Sequence, residues 1–184
     1  MRLFLALELP PEARSSLAGW RDATLRTTQG LRAVADDALH VTLVFLGRHP
    51  RRDVERIWET AERSLADLAA PQLEATGFRL VPPRRSRVLA VDLADEAGRT
   101  AAVHESLAGA LEEAGLHERE RRAFWPHVTV ARVRARARVR RVEADPPPAV
   151  SFAARWVTLY RSDLHPTGAR YVSLRRIELG APGT

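Results

Sequence analysis

Two tetrapeptides hold the residues best placed to do chemistry: His40-Val41-Thr42-Leu43 and His127-Val128-Thr129-Val130. Both read His, apolar, Thr, apolar. Composition alone supplies about 0.16 copies of that pattern in a chain like this one. Two copies, each opening a strand-like run, are therefore a signal. In a strand, residues i and i+2 share a face. Each motif is thus a platform that presents an imidazole beside a hydroxyl and turns its valine to the core. Two such platforms facing each other make a cleft suited to a cyclic phosphodiester. One imidazole takes the proton of an attacking water, and the other protonates the leaving oxygen. Thr42 and Thr129 can donate to the non-bridging oxygens, where the transition state holds negative charge.

Other chemistries fare worse. A zinc centre needs three protein ligands, and no third histidine stands at a suitable spacing, so no metal is expected. His49, His104, His117 and His165 lack comparable context and read as surface or loop residues. The chain has no cysteine, which removes disulfides, thiolate metal sites and cysteine nucleophiles. All 29 basic residues are arginine. Without lysine there is no Schiff base, no P-loop lysine and no lysine-adenylate chemistry.

These platforms must sit on a scaffold. The length of 184 residues suits one domain spanning 1–184, with 45% hydrophobic and 28% charged residues as in a folded protein. Strand patterns cover Arg2 to Leu9, His40 to Gly47, Leu73–Val81, Val88–Leu93, His127 to Arg132, Ala154–Arg161 and Arg170–Leu179. Leu3, Leu5, Leu7 and Leu9 fall on one face of the first. Helical spacing follows Pro10-Pro11, with Ala13, Leu17 and Trp20 inward. A second helix carries Val54, Ile57, Trp58, Ala61, Leu65 and Leu68 on one stripe. A third runs from about Asp95 to Ala114. Helices alternating with pairs of strands predict an α+β fold with largely antiparallel sheets.

A net charge of +6 favours polyanionic partners. Arginine recurs at every second position from Arg132 to Arg140. As a strand, that stretch would form a cationic face able to track RNA phosphates. A solvated segment in an arginine-rich chain explains the run equally simply. Trp125 and Phe45 can stack on bases, but core packing is their plainer role. The N-terminus is too soon interrupted by Glu8 for a secretory signal, and no apolar run reaches membrane-spanning length. A cytoplasmic monomer is expected, with no membrane or protein partner.

The two motifs resemble those of the 2H phosphoesterase superfamily. More closely, the chain resembles the RNA 2′,3′-cyclic phosphodiesterases, also described as LigT-like or 2′-5′ RNA ligase proteins. The likeness covers nearly the whole chain. It includes Arg2-Leu3-Phe4-Leu5-Ala6-Leu7 before Pro10, His40 through Gly47, and Pro126 through Arg132. Ser162, Leu164, Gly168 and Tyr171 are similar to the family's closing strand–turn–strand.

That resemblance implies a bilobal fold of two pseudo-symmetric lobes with the histidines in a central cleft. It implies RNA with 2′,3′-cyclic phosphate ends as substrate, opened to a 2′-phosphate without a cofactor, and reverse 2′-5′ joining. By the same likeness His40 is the proton donor, His127 the proton acceptor, and Thr42, Thr129 and Arg132 hold the phosphate. Arg132 lies five residues after His127, so a regular strand would point it to the wrong face; a bulge is required. The motifs alone leave open a small cyclic nucleotide or ADP-ribose derivative as substrate, and a non-catalytic RNA-binding protein.

Overall fold

The computed structural model describes residues 1–120, 122–165 and 168–181; the side chains of Leu164 and His165 lie outside that description. The elements in chain order are β1 (Arg2–Glu8), α1 (Pro11–Thr27), β2 (Leu31–Ala33), β3 (His40–Arg48), α2 (Asp53–Leu65), β4 (Gln72–Val81), β5 (Val88–Asp95), α3 (Arg99–Glu113), β6 (His127–Val133), β7 (Ser151–Ala153), β8 (Trp156–His165) and β9 (Gly168–Glu178). One antiparallel sheet runs β7-β4-β5-β6-β3-β1-β8-β9, with β2 laid against β6. This is the expected α+β architecture.

The sheet is two matching halves. In one, β3 pairs with β1, then β8 and β9; in the other, β6 pairs with β5, then β4 and β7. The halves meet at one strand pair, Val41 opposite Val128. Those are the second residues of the two motifs, so an approximate two-fold axis runs between the histidines. Each half also sends a helix across: α1 packs against β2 and β6, while α3 packs against β3 and β5.

Local chemistry explains the element ends. Pro11 opens α1, where its missing N–H is no loss. Gly30, at φ +84°, makes the left-handed turn into β2. The third helix starts four residues later than the pattern suggested. Asp95 instead ends β5 and accepts the Thr100 and Ala101 N–H groups through its carboxylate. In α2 the predicted stripe holds, with Ile57, Trp58, Ala61 and Leu65 buried. The alternation in β1 is incomplete: Phe4 and Ala6 are buried as fully as Leu3, Leu5 and Leu7. The reason is position, since β1 is a central strand between β3 and β8. Each fully buried leucine contributes about 1.5–3 kcal/mol, so this strand anchors its half.

The arginine-rich stretch is not a strand. β6 ends at Val133, and Arg136 turns the chain at φ +64°. The alternating arginines therefore do not form one sheet face. No helix among the described residues is long and apolar enough to cross a membrane.

Candidate active site

His40 and Thr42 open β3, His127 and Thr129 open β6, and all four line one cleft of about 590 Å³. The burial pattern of each motif is the same: the valine is buried, while histidine and threonine reach the cleft.

Both imidazoles are held alike. The Nδ1–H of His40 donates to the Ala38 carbonyl at 2.8 Å, and that of His127 to the Trp125 carbonyl at 2.7 Å. Each acceptor lies two residues before its histidine. A carbonyl can only accept, so in both rings Nε2 is the atom left for chemistry. Nε2 of His40 also lies 3.1 Å from the Thr42 hydroxyl.

The surroundings differ. His40 sits in an aromatic corner, with ring centroids of Phe4 and Tyr171 at 5.0 and 5.3 Å. Burial above all, with the nearby charges of Arg132 and His127, pushes it down to about 4 against the Ala38 hydrogen bond. His127 stacks on Trp125 at 4.0 Å. Burial lowers it too, but its bond to Trp125 and the Asp92 carboxylate both pull upward. Asp92 lies directly across from His127 in the strand register and accepts the Trp125 Nε1–H at 3.0 Å. Its equivalent, Glu8, lies across from His40 and is engaged by Thr158, Tyr160 and Arg176, much as Asp92 is by Arg79.

Arg132 reaches the cleft because β6 is bulged. Ala131 pairs with Leu89 and Thr129 with Ala90, leaving Val130 without a partner on β5. The extra residue reverses the parity, so Val130 and Ala131 are both buried and Arg132 emerges beside Thr129. On β3 the same device recurs at Leu43, skipped between Thr42 and Val44. There the residue that emerges is Phe45, 59% exposed in the cleft wall. Phe45 is therefore not core. Trp125 is only partly buried, packed on the catalytic candidate rather than inside the fold.

Sequence reasoning missed Arg32. It sits on the three-residue β2 directly opposite Arg132 and lines the same cleft. So short a strand carries no period to read. His104 was read as a surface residue, yet its Nδ1–H donates to the Leu43 carbonyl that the bulge leaves over. In the other half, the Val34 N–H serves the Val130 carbonyl. His49 is also engaged, at Asp53 and the Leu46 carbonyl. Among the described residues, no group of three His, Cys, Asp or Glu side chains is arranged to hold a metal ion.

Comparison with known proteins places this arrangement. A profile of the 2′-5′ RNA ligase superfamily matches residues 9–166. A Thermus thermophilus protein named RNA 2′,3′-cyclic phosphodiesterase is 31% identical, covering 97% of this chain and 90% of its own. An Escherichia coli K12 protein of the same name is 31% identical, covering 95% and 94%. Among solved structures, a Thermus thermophilus protein superposes with a TM-score of 0.84 at 30% identity, over 98% of this chain and 99% of that one. Escherichia coli LigT complexed with NADP+ gives 0.79 at 27% identity, over 97% of each.

Proposed function

Because the chain belongs to the 2′-5′ RNA ligase superfamily, we propose that it hydrolyses RNA 2′,3′-cyclic phosphate ends to 2′-phosphates by two-histidine acid–base catalysis. The observation that carries this reading is the pair of Nε2 atoms presented to one cleft by matched Nδ1–H bonds to backbone carbonyls. The proposed unit is the whole bilobal domain, 1–184, acting as a monomer, since one chain supplies both imidazoles. With such a substrate, the proposed place of action is the cytoplasm.

In the proposed step, neutral His127 takes a proton from water at Nε2. The water oxygen bonds to phosphorus as the P–O3′ bond breaks. Protonated His40 gives its Nε2 proton to O3′. The products are a 2′-phosphate and a free 3′-hydroxyl. His127 ends charged and His40 neutral, and exchange with solvent restores both. Thr42, Thr129 and Arg132 hold the non-bridging oxygens, and a positive guanidinium is worth most there as charge builds. Arg32 joins them, because two guanidinia held side by side across strands repel until an anion sits between them. Phe45 offers a face on which the base of the terminal nucleotide can stack. With the 5′-hydroxyl of a second RNA in place of water, His127 takes its proton, the P–O5′ bond forms as P–O3′ breaks and His40 protonates O3′, which joins the two strands through a 2′-5′ linkage with no nucleotide cofactor.

One observation favours the opposite polarity. Asp92 raises His127 while Arg132 lowers His40, so in the free protein His127 is the easier ring to charge. A bound phosphate anion raises both rings, because its negative charge favours the protonated form of each. The two polarities separate on a substrate whose leaving atom needs no proton.

The reaction itself is tested with a short RNA ending in a 2′,3′-cyclic phosphate, in excess EDTA, with the product phosphate located. A 2′-phosphate is the expected result. A 3′-phosphate would keep the two-histidine chemistry but overturn O3′ as the leaving oxygen. No turnover would favour a binding protein or a different cyclic phosphate.

A further inference from the structure

Beside the cleft lies a second groove of about 830 Å³, walled by the β4–β5 turn on one side and the loop after β6 on the other. Its walls include Arg84, Arg85, Arg134, Arg136 and Arg138, and no carboxylate lines it among the described residues. We infer that this groove binds the backbone phosphates of the RNA strand leading into the reacting end. The inference rests on the phosphodiesterase reading above and adds to it the path of the strand beyond the reacting nucleotide, between the β4–β5 turn and the loop after β6.

What sets the groove apart is density: its arginines lie together with no carboxylate among the described residues that line it. Four half-exposed arginines elsewhere each sit against an acid: Arg79 on Asp92, Arg119 on Glu105, Arg175 on Glu55 and Arg176 on Glu8. In the groove, none of Arg84, Arg85, Arg136 and Arg138 has a carboxylate partner among the described residues. Clustered like charges cost the folded chain self-repulsion that nothing nearby relieves. A string of phosphates relieves it, and counterion release then drives binding.

Two further features fit. The groove is continuous with the cleft, because Arg32 and Arg132 line both. It is also preformed. Val139 is buried at 8% exposure and packs over Gly30, and the Arg134 N–H donates to the Gly30 carbonyl at 2.8 Å. Arg134 Nε–H donates to the Leu31 carbonyl at 2.9 Å. The opposite wall is closed by Arg87 N–H to the Val81 carbonyl, and the Val133 N–H ties the walls together at the Arg87 carbonyl. Ser86 in that wall has a hydroxyl with no partner within the protein.

The test compares the wild type with a triple variant, Arg84→Ser, Arg85→Ser and Arg138→Ser, all exposed positions outside the cleft. Two substrates are used, a 2′,3′-cyclic mononucleotide and a hexanucleotide ending in a 2′,3′-cyclic phosphate. The variant keeps the wild-type kcat/KM on the mononucleotide and loses tenfold or more on the hexanucleotide at low salt. For single strands the log–log salt slope is about −0.7 per phosphate contact, so three lost contacts flatten it by about 2. An unchanged hexanucleotide-to-mononucleotide ratio, or an unchanged salt slope, overturns the groove. Anisotropy of a labelled hexanucleotide with a plain 3′-hydroxyl reads the groove without turnover. If neither substrate is hydrolysed yet that binding is weakened in the variant, the groove stands and the catalytic reading falls. Equal binding by both proteins removes the groove whatever the turnover.

Discussion

Phe45 and Arg132 occupy the same position in the two halves of the cleft: each follows its histidine by five residues and is turned inward by an unpaired bulge residue. The two platforms are otherwise near copies. Their difference makes one end of the cleft aromatic and the other cationic, which suits a ligand that is a base at one end and a phosphate at the other.

That asymmetry predicts separable losses. Arg132→Ala should lower kcat/KM by roughly 10- to 100-fold, the range of a lost charged hydrogen bond. Phe45→Ala should raise KM by a similar factor, from about 1–3 kcal/mol of lost stacking, with kcat held. Steady-state kinetics on a cyclic mononucleotide reads both. A kcat fall alone in Phe45→Ala would remove its assigned place under the base.

For the histidines, His40→Ala and His127→Ala should each lose about 10²–10⁴-fold while remaining folded. Their roles separate on a substrate with sulfur in place of O3′, a leaving atom that needs no proton. The variant lacking the acid should recover most of its rate on that substrate, and the variant lacking the base should not. Recovery in His40→Ala supports His40 as proton donor; recovery in His127→Ala reverses the assignment.

Acidity offers an independent reading. Both rings are lowered by burial, His40 to about 4. The pH profile of kcat/KM reports the free protein, so it should be a bell with its maximum below pH 6.5. The kcat profile should peak at higher pH, because the bound phosphate raises both rings. Asp92→Asn should move the His127 limb to lower pH. Stability follows the same chemistry. Between about pH 6.5 and 4 the unfolded chain binds more protons than the folded one, so stability falls as pH drops through that window. Denaturant midpoints of His40→Ala should show a shallower fall than the wild type.

His104→Ala should leave the Leu43 carbonyl of the β3 bulge without a donor. A buried unsatisfied group costs about 1–3 kcal/mol, measurable as a lower unfolding midpoint. Its effect on kcat should be small unless the bulge relaxes; a relaxed bulge would show as the Phe45→Ala phenotype.

The sequence made the four His and Thr residues legible because a strand's two-residue period carries directly into which face they share. It also showed that Arg132 needed a bulge, though no residue type marked Val130 as the place. The matching bulge at Leu43 was invisible, so Phe45 read as core. Arg32 and the strands β2 and β7 were hidden by brevity, since three residues show no period. The arginine run misled for a different reason: alternation imitates a strand, while the positive φ at Arg136 is a backbone fact that arginine does not advertise. His104 looked idle because its partner is a carbonyl that exists only when the neighbouring strand is bulged.

The single Val41–Val128 pair at the seam has one more consequence. Two identical copies of either half, joined at that pair, would put the same residue at both ends of the cleft: two phenylalanines or two arginines. Such an assembly reads its substrate equally well in either direction. Linking the halves in one chain lets each mutate alone, so the cleft can tell one end of an RNA from the other. The orientation of a bound ligand is, in that sense, written in a broken symmetry.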